Sequence, residues 1–251
     1  MLLKDILTVL DDMAPFNTAE PWDNTGLMVG DPFQEIHSVL VALDPVTEVI
    51  ETARESDTDL IITHHPLLFD PVKRIDLRES VSRRIGMLIR SSIALVSMHT
   101  NLDTARGGVA DELAQRLGLK DIQRSGMLRA GTIGQACDLS AWAGSLPFKT
   151  ARVVDAGRLV KNVCVCPGSG MDYLSQAVIL DCDTLVTGDV RYHAALEAKE
   201  EGVNVVDLGH FATEEIIVAP LAERLGRSLP RIRVKTYEAR DVFVQIKGDN
   251  R

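Results

Sequence analysis

Short apolar runs and helical patterns alternate along the first half of the chain. In residues 2–13, leucine, isoleucine and valine recur at helical spacing until Pro15 ends the pattern, which predicts an amphipathic helix. From Ser38 onwards, apolar runs typical of buried strands are separated by stretches with helical spacing. The predicted strands are 38–43, 60–63 and 93–98, and the predicted helices are 47–55, 79–90 and 109–117. Strands that are joined through helices form parallel βαβ units.

The second half repeats this alternation after a glycine-rich passage at 126–134. The predicted strands there are 152–154, 159–166, 184–187, 203–208, 232–237 and 242–246, and the predicted helices are 139–146, one that starts at Asp172, 192–199 and 214–225. DLIITHH, a helix and IALVSMHTNLD in the first half match DTLVTGD, a helix and VNVVDLGHFATE in the second. Generic βαβ architecture also produces such a match, and only the aligned pairs of histidine and acid go beyond it.

We therefore predict an α/β fold with mixed, largely parallel sheets, built from two pseudo-equivalent halves. The first half, 1–125, carries the HH and HTNLD blocks. The second half, 126–251, carries the CPGSG, TGD and GHFATE blocks. Ligands in parallel α/β sheets bind at the carboxyl ends of the strands, so we expect a shared site between the halves.

Composition and charge narrow the possible partners. The 251 residues are 45% hydrophobic, which is enough for proper cores in one large or two modest domains. The apolar stretches are far shorter than the ~20 residues that span a bilayer, and the N-terminal segment carries acids where a signal peptide has its cleavage site. The net charge of -9 argues against binding of duplex nucleic acid, which needs a basic stripe. We expect a cytoplasmic protein whose partners are small molecules, metals or proteins.

Four of the six histidines stand just past the ends of apolar runs. His64 and His65 follow the run at 60–62, His99 follows IALVSM, and His210 follows VNVVDLG. The ends of parallel strands meet at one edge of a sheet, so these imidazoles are expected to lie together. Because imidazole is a common metal ligand, the pattern predicts a metal site.

Two of these histidines have a carboxylate four residues later. Asp103 follows His99, and Glu214 follows His210. Asp103 could instead be an ordinary loop acid or a helix N-cap. Glu214 could instead stabilise the start of a helix by ~0.3–1 kcal/mol through the helix dipole. Because both stand beside strand ends, we interpret both as ligands. Imidazole and carboxylate ligands suit zinc, iron, manganese or nickel, and bridging carboxylates allow two ions. The four cysteines form no CxxC pair and are expected to be buried, reduced thiols.

Three further segments carry possible site residues. The CPGSG loop at 166–170 can turn its amides toward an anion or can simply connect a strand to a helix. In TGDVRYH, Asp189 could cap a helix and His193 could be exposed on one, or both could face a substrate. Asp23 and Asn24 could line the site, although turn formation is the preferred interpretation.

Five blocks over roughly residues 21–225 are also typical of a known family. They are PWDNTGLMVGDP, ITHHPLLF, SMHTNLDTARGGVADELAQRLGL, CPGSG and DTLVTGDVRYHAALEAKEEGVNVVDLGHFATE. In this order they resemble the Nif-three-like dinuclear-metal family, whose usual label is GTP cyclohydrolase 1 type 2 homolog. The resemblance implies paired α/β domains, a toroidal homohexamer and two divalent ions per chain. The positions that match the family's metal ligands are His64, His65, Asp103, His210 and Glu214.

The resemblance also implies roles for two further histidines. His99 would support the metal site, orienting a ligand or a water. The implied function is a metal-dependent hydrolase acting on a nucleotide or a related small anion. If GTP is the substrate, its imidazole ring would be opened at C8, with His99 or His193 as the catalytic residue that moves protons. The alternative is a non-catalytic metal-binding ring that acts as a protein-interaction scaffold or metal carrier, and a nucleotide-binding module built on CPGSG is a third hypothesis.

Overall fold

Two β-sheets with helices packed on their faces form the protein, described over residues 1–244 by a computed structural model. The first sheet consists, in spatial order, of β1 (Gly26–Val29), β4 (Ala94–Ser97), β3 (Leu60–Thr63), β2 (Ser38–Ala42) and β11 (Arg233–Thr236). β1 runs antiparallel to β4, and the other three pairs are parallel.

Alternating side chains of the first sheet enter two separate cores. Val39 and Val41 belong to one hydrophobic cluster and Leu40 to the other, as the period of two in a strand requires. The helices that complete these clusters are α1 (Leu3–Met13) and α10 (Val218–Ser228) on one face, and α2 (Thr47–Glu55) and α3 (Ser80–Arg90) on the other. Burial of both faces explains why these strands are continuous apolar runs in the sequence.

The second sheet is mixed. It consists, in spatial order, of β5 (Lys120–Ser125), β6 (Leu128–Cys137), β8 (Val160–Ser169), β9 (Thr184–Gly188), β10 (Asn204–Asp207) and β7 (Arg152–Val154). The three strands β8, β9 and β10 are parallel, and the outer pairs are antiparallel. Its clusters are completed by α5 (Val109–Arg116) and α6 (Leu139–Ser145) on one face, and by α7 (Leu174–Ile179) and α8 (Tyr192–Glu200) on the other.

Two five-residue helices follow central strands of the sheets. α4 (Thr100–Thr104) comes after β4, and α9 (His210–Glu214) comes after β10. Three further turns are 3₁₀ segments, namely Phe16–Thr18, Met171–Tyr173 and Glu215–Ile217. Within residues 1–244, no helix has the length and apolar character to cross a membrane.

The predicted α/β class with mixed, largely parallel sheets is confirmed. Each sheet contains a strand from the other half of the chain. β11, near the end of the chain, pairs with β2 in the first sheet, and β5, from residues 120–125, lies in the second sheet. The division of the chain into 1–125 and 126–251 therefore stays a prediction, and the sheets are built from segments on both sides of it.

Three details of the predicted elements are wrong, and a fourth lies partly outside the described residues. The glycine-rich passage at 126–134 is largely a strand, β6, and its hairpin with β5 was missed because β5 is an exposed edge strand without an apolar signal. The edge strand β1 was missed as well. The predicted helix 214–225 is divided, since the 3₁₀ turn separates α9 from α10. The predicted strand 242–246 extends past the described residues, and its described part is not a strand.

The cysteines differ from their predicted state. Cys164 of β8 and Cys182, in the loop before β9, form a disulfide across the second sheet, so the expectation of four reduced thiols is wrong. Cys166 is a buried free thiol, and Cys137 is a partly exposed one. The sequence signal for this pair was weak because 18 residues separate the two cysteines and the bond depends on strand packing.

A buried ion pair fixes the end of α4 against the second sheet. The Arg129 side chain is fully buried and its guanidinium pairs with Asp111 of α5. It also donates to the carbonyl oxygens of Gly126 and of Thr104, the last residue of α4, each at 2.8 Å. Burial raises the pKa of Asp111, but the bonds from Arg124 and Arg129 outweigh it and lower that pKa to about 2.

Candidate metal centre

Three strand ends converge and bring four histidines together. His64 and His65 follow β3, His99 follows β4, and His210 opens α9 after β10. The ring centroid of His65 lies 4.9 Å from that of His64, 5.6 Å from His99 and 5.2 Å from His210. The convergence expected from the sequence is therefore present in the fold.

The hydrogen bonds of His64 determine which ring nitrogen carries the proton. Its Nδ1 lies 2.9 Å from the carbonyl oxygen of Met98, and because a carbonyl only accepts, Nδ1 is the donor. In the neutral ring Nε2 then presents a lone pair. That atom is buried without a hydrogen-bond partner and faces Asp103 Oδ1 at 3.6 Å and Glu214 Oε1 at 3.8 Å. Acceptors that face one another in a buried space are stabilised by a cation.

His65 and His210 are held in the same way by carboxylates. His65 Nδ1 lies 2.8 Å from Asp44 Oδ1, and His210 Nδ1 lies 2.8 Å from Asp189 Oδ2. Their Nε2 atoms are 3.3 Å apart, and each is 2.9 Å from Glu214 Oε2. An imidazole whose outer nitrogen donates to a carboxylate and whose inner nitrogen points into a shared space is the usual arrangement of a metal ligand.

Glu214 belongs to both groups of ligand atoms. Its buried side chain directs Oε1 to His64 and Oε2 to His65 and His210. Asp103 Oδ1 is buried and has no hydrogen-bond donor within residues 1–244, whereas Glu214 Oε2 lies between the Nε2 atoms of His65 and His210. The atom groups that could hold an ion are His65, His210 and Glu214; His64, Asp103 and Glu214; and His64, His65 and His99. Imidazole nitrogens and carboxylate oxygens without thiolate fit a divalent cation.

The electrostatics of the cluster favour positive charge. Burial lowers the pKa of His65, but hydrogen bonds to two carboxylates outweigh it and raise that pKa to about 10. A hydrogen bond to Glu214 raises the pKa of His210 to about 9, and burial raises the pKa of Asp103 to about 7. Burial would raise the pKa of Glu214 as well, but its hydrogen bonds to the surrounding imidazoles hold it well below its usual range. Protons and a metal ion compete for these nitrogen atoms.

His99 is oriented by Asp23. Its Nδ1 lies 2.7 Å from Asp23 Oδ1, while Asp23 Oδ2 accepts from the backbone N–H of Thr100 at 3.0 Å and from its hydroxyl at 2.5 Å. Burial raises the pKa of Asp23, but these bonds outweigh it and lower that pKa to about 2. The preferred interpretation of Asp23 as a turn residue is therefore wrong, since it holds a histidine of the cluster.

The two acidic side chains that hold His65 and His210 had different signals in the sequence. Sequence reasoning missed Asp44, although it stands two residues past the end of β2, and a polar residue near a strand end is a usable signal. Asp189 was weighed as a cap or a substrate contact. It instead has a φ of 53°, a left-handed conformation that aspartate tolerates, and supports His210.

The other predicted residues of the TGDVRYH and CPGSG motifs have local roles. His193 is exposed on α8 beside Tyr192, with ring centroids 5.5 Å apart, and the structure does not bring it into the cluster. Residues 166–169 of the CPGSG motif belong to β8 and not to a loop, and two amides of the motif donate to threonine hydroxyls and do not face an anion. Gly168 N–H bonds Thr213 Oγ1 at 3.0 Å, and Gly170 N–H bonds Thr187 Oγ1 at 2.8 Å.

Gly168 matters because it lets the Glu214 carboxylate approach. A Cβ at this position would lie 2.2 Å from Glu214 Oε1, far inside van der Waals contact. Its φ of +62° is also a conformation that favours glycine. The CPGSG motif thus makes room for a candidate ligand.

Two cavities border the cluster, and His65 and His210 line both. The larger, of about 740 Å³, also has Asp44, Arg152, Asp189, Arg240 and Phe243 in its wall. The smaller, of about 540 Å³, also has Trp22, Phe69, His99, Asp103, Tyr173 and Glu214. Both volumes are typical of sites that bind small molecules.

Known proteins with similar sequence and structure identify the family. Residues 1–241 match the family described as Duf34/NIF3 (NGG1p interacting factor 3). A Clostridium perfringens protein named GTP cyclohydrolase 1 type 2 homolog is 36% identical over 259 aligned positions, covering 97% of this chain and 99% of that protein. A Campylobacter jejuni protein of the same name is 36% identical over 237 positions, covering 92% and 94%. The crystal structure of Staphylococcus aureus protein SA1388 matches with a TM-score of 0.89 at 30% identity, covering 98% and 99%. The chain belongs to the Duf34/NIF3 family.

Proposed function

We propose that the cluster binds two divalent metal ions that share Glu214. His65, His210 and Glu214 would hold one ion, and His64, Asp103 and Glu214 would hold the other. The observation that carries the proposal is the convergence of imidazole nitrogens and carboxylate oxygens on one space, in which His64 Nε2 and Asp103 Oδ1 are buried without a hydrogen-bond partner among residues 1–244. A carboxylate with its two oxygens directed to different groups suits a bridging role.

The openness of the cluster favours a reactive site over a structural one. The side chain of His210 is 36% exposed and that of His65 is 21% exposed, whereas His64 is only 1% exposed. Structural metal sites are closed, and catalytic sites keep an open position. The donor set suits zinc, iron, manganese or nickel, and such ions, when bound, acidify a coordinated water and polarise a substrate oxygen.

We assign proton transfer to His99. Its Nδ1 is bonded to the Asp23 carboxylate, so Nε2 is the nitrogen that can take up and release a proton. Asp23 orients the ring, as the acid does in other His–Asp pairs. His99 lines the same cavity as the two candidate carboxylate ligands. His193, the other histidine predicted to move protons, has no such contact among the described residues, so the proposal does not depend on it.

The substrate class that we propose is a nucleotide or a related small anion, cleaved by hydrolysis. Relatives of the chain carry the name GTP cyclohydrolase 1 type 2 homolog, which makes GTP the first substrate to test. The cavity of about 740 Å³ adds Arg152 and Arg240 near His65 and His210, and guanidinium groups are suited to phosphate.

Metal content tests the first part of the proposal. Protein purified without chelator should contain about two ions per chain by elemental analysis, and Glu214→Gln should lower the occupancy of both sites because the carboxylate is shared. The matched control is Glu223→Gln, an exposed side chain paired with Arg227, which should keep the wild-type content. Wild-type protein without bound metal would contradict the proposal.

Product analysis tests the second part. Metal-loaded protein is incubated with GTP and a panel of other nucleotides, and the products are identified by mass spectrometry. His99→Asn should retain both ions and lose turnover, whereas His193→Asn should retain turnover. Two bound ions with no turnover of any nucleotide would instead support the metal-binding scaffold or carrier.

The assembly that we propose is a toroidal homohexamer, common to the enzyme and to the scaffold alternative. Exposed aliphatic side chains support association, since Ile75 is 59%, Ile89 is 61% and Ile179 is 82% exposed. Light scattering of the purified protein should give the mass of six chains. A monomer at micromolar concentration would contradict it.

A further inference from the structure

Two exposed aromatic rings stand beside the cluster and take no part in its hydrogen bonds. Trp22 is 58% exposed and Phe69 is 51% exposed, and their ring centroids lie 5.9 Å apart. Both line the cavity of about 540 Å³ that reaches Asp103 and Glu214. Large aromatic surfaces left in water at the wall of a cavity are typical of places that a ligand covers.

The loops that carry these rings are fixed in the protein itself. The side-chain amide of Asn24, two residues after Trp22, donates to the carbonyl oxygen of Leu68 at 2.5 Å, directly before Phe69. Asp23, which lies between Trp22 and Asn24, accepts hydrogen bonds from the backbone N–H and the hydroxyl of Thr100 at the start of α4. Because the two loops are already linked to the rest of the fold, a ligand would lose little free energy in ordering them.

The aromatic wall continues to the cluster. The Trp22 ring meets the His99 ring edge to face at a centroid distance of 6.1 Å, and His99 meets His64 at 5.1 Å. The lining of the cavity also includes Met127 and Tyr173 from the second half of the chain. Burial raises the pKa of Tyr173 to about 12, so its phenol stays protonated and can donate a hydrogen bond.

We propose that this cavity binds a planar heteroaromatic ring that stacks on the Trp22 indole, with the tilted Phe69 ring against its side and a polar edge directed at the cluster. The direction of that edge rests on the proposed function, whereas the stacking rests only on the aromatic wall. A phosphate group would leave the indole face uncovered, while a flat aromatic ring covers it and gains the stacking interaction. Trp22 and Phe69 are then specificity-determining residues.

Fluorescence provides a direct reading, because the chain has two tryptophans in different environments. Trp142 is 8% exposed in the core of the second sheet, so quenching by a ligand reports on Trp22. GMP is titrated as the ring-containing probe and ribose 5-phosphate as the probe without a ring. GMP should quench and saturate, and ribose 5-phosphate at the same concentrations should not. Equal effects of the two probes, or no effect of GMP, would overturn the proposal.

Calorimetry with variants tests the stacking residues. Trp22→Leu should weaken GMP binding roughly tenfold, and Trp22→Phe should restore most of the affinity, in line with the stacking of bases on aromatic side chains. The matched control is Phe33→Leu, which removes an aromatic side chain that is 67% exposed and lies outside the cavity. Unchanged GMP affinity in Trp22→Leu overturns the proposal.

Metal content and GMP binding, measured on the same preparations, separate this inference from the metal proposal. If protein that was purified without chelator contains no metal by elemental analysis but its GMP binding still depends on Trp22, the ring subsite is supported while the proposed function fails. If the protein holds two ions but binds GMP equally well without the indole, the ring subsite is overturned and the metal proposal stands.

Discussion

The two His-x-x-x-acid motifs of this chain make different contacts, although the acid of each lies in a short helix of five residues. In the second motif, His210 is the first residue of α9 and Glu214 is the last. The two side chains therefore lie one turn apart on the same helix face, and His210 Nε2 is 2.9 Å from Glu214 Oε2.

In the first motif the histidine stands outside the helix. His99 precedes α4 with φ −103° and ψ −109°, which is not a helical conformation. Its ring turns to Asp23, and Asp103 faces His64 from the neighbouring strand end instead. The histidine stands one residue before the helix in the first motif and at its first residue in the second. The same spacing therefore pairs His210 with its own acid but directs His99 to Asp23. Sequence spacing alone does not define a pair of ligands.

The largest expected effect concerns the support of the first motif. Asp111→Asn would leave the buried Arg129 guanidinium, which also holds the end of α4, without its counter-charge. The free energy of unfolding should fall by roughly 3–5 kcal/mol, measured by urea denaturation. Asp76→Asn, at the exposed pair with Arg78, is the control and should change it little. A loss below about 1 kcal/mol would show that the Asp111–Arg129 ion pair is unimportant for stability.

A single methyl group should disturb the second motif. Gly168→Ala places a Cβ 2.2 Å from Glu214 Oε1, so the carboxylate must move and the metal content should drop at both sites. Gly126→Ala is the matched control, because its φ of +57° carries a similar backbone cost while nothing lies within 4 Å of the new Cβ. The measurement is elemental analysis of both variants. Equal metal content in the two would argue against Glu214 as a ligand.

Removal of each histidine tests the contrast directly. His210→Asn should lose one of two ions, because its Nε2 faces the shared carboxylate. His99→Asn should keep both and lose only turnover. His99 also forms a group with His64 and His65 that could hold an ion. Loss of a full ion in His99→Asn would therefore show that the histidines of both motifs are metal ligands.

The smallest expected effect is the pH dependence of the stability that the Asp111–Arg129 ion pair contributes. The Asp111 pKa is lowered from 3.8 to about 2 in the folded protein, so its stabilising effect is present above the unfolded value and is lost as pH falls toward 2. The stability difference between wild type and Asp111→Asn should therefore shrink between about pH 5 and pH 2. Urea denaturation across this range measures it, and a constant difference would contradict the assignment.

Much of the fold follows from local pattern. The helix 47–55 and the strand 60–63 were predicted with the bounds that the structure has, because amphipathic spacing and buried apolar runs are strong local signals. The hairpin of β5 and β6 was not, since edge strands with exposed side chains carry no such signal. The pairing of β11 with β2 joins residues almost 200 positions apart, and periodicity does not encode it.

The sequence by itself determined that histidines and carboxylates would stand at the ends of buried strands, because alternation of apolar runs and helices places strand ends at one edge. All five predicted ligands lie together, past the ends of strands that belong to two different sheets. Tertiary structure decided how they divide. Only packing of the two sheets puts Glu214 between His64 and the pair His65 and His210, and only the loop before β1 brings Asp23 to His99. These contacts depend on distances between segments that are remote in the chain, which local spacing does not specify.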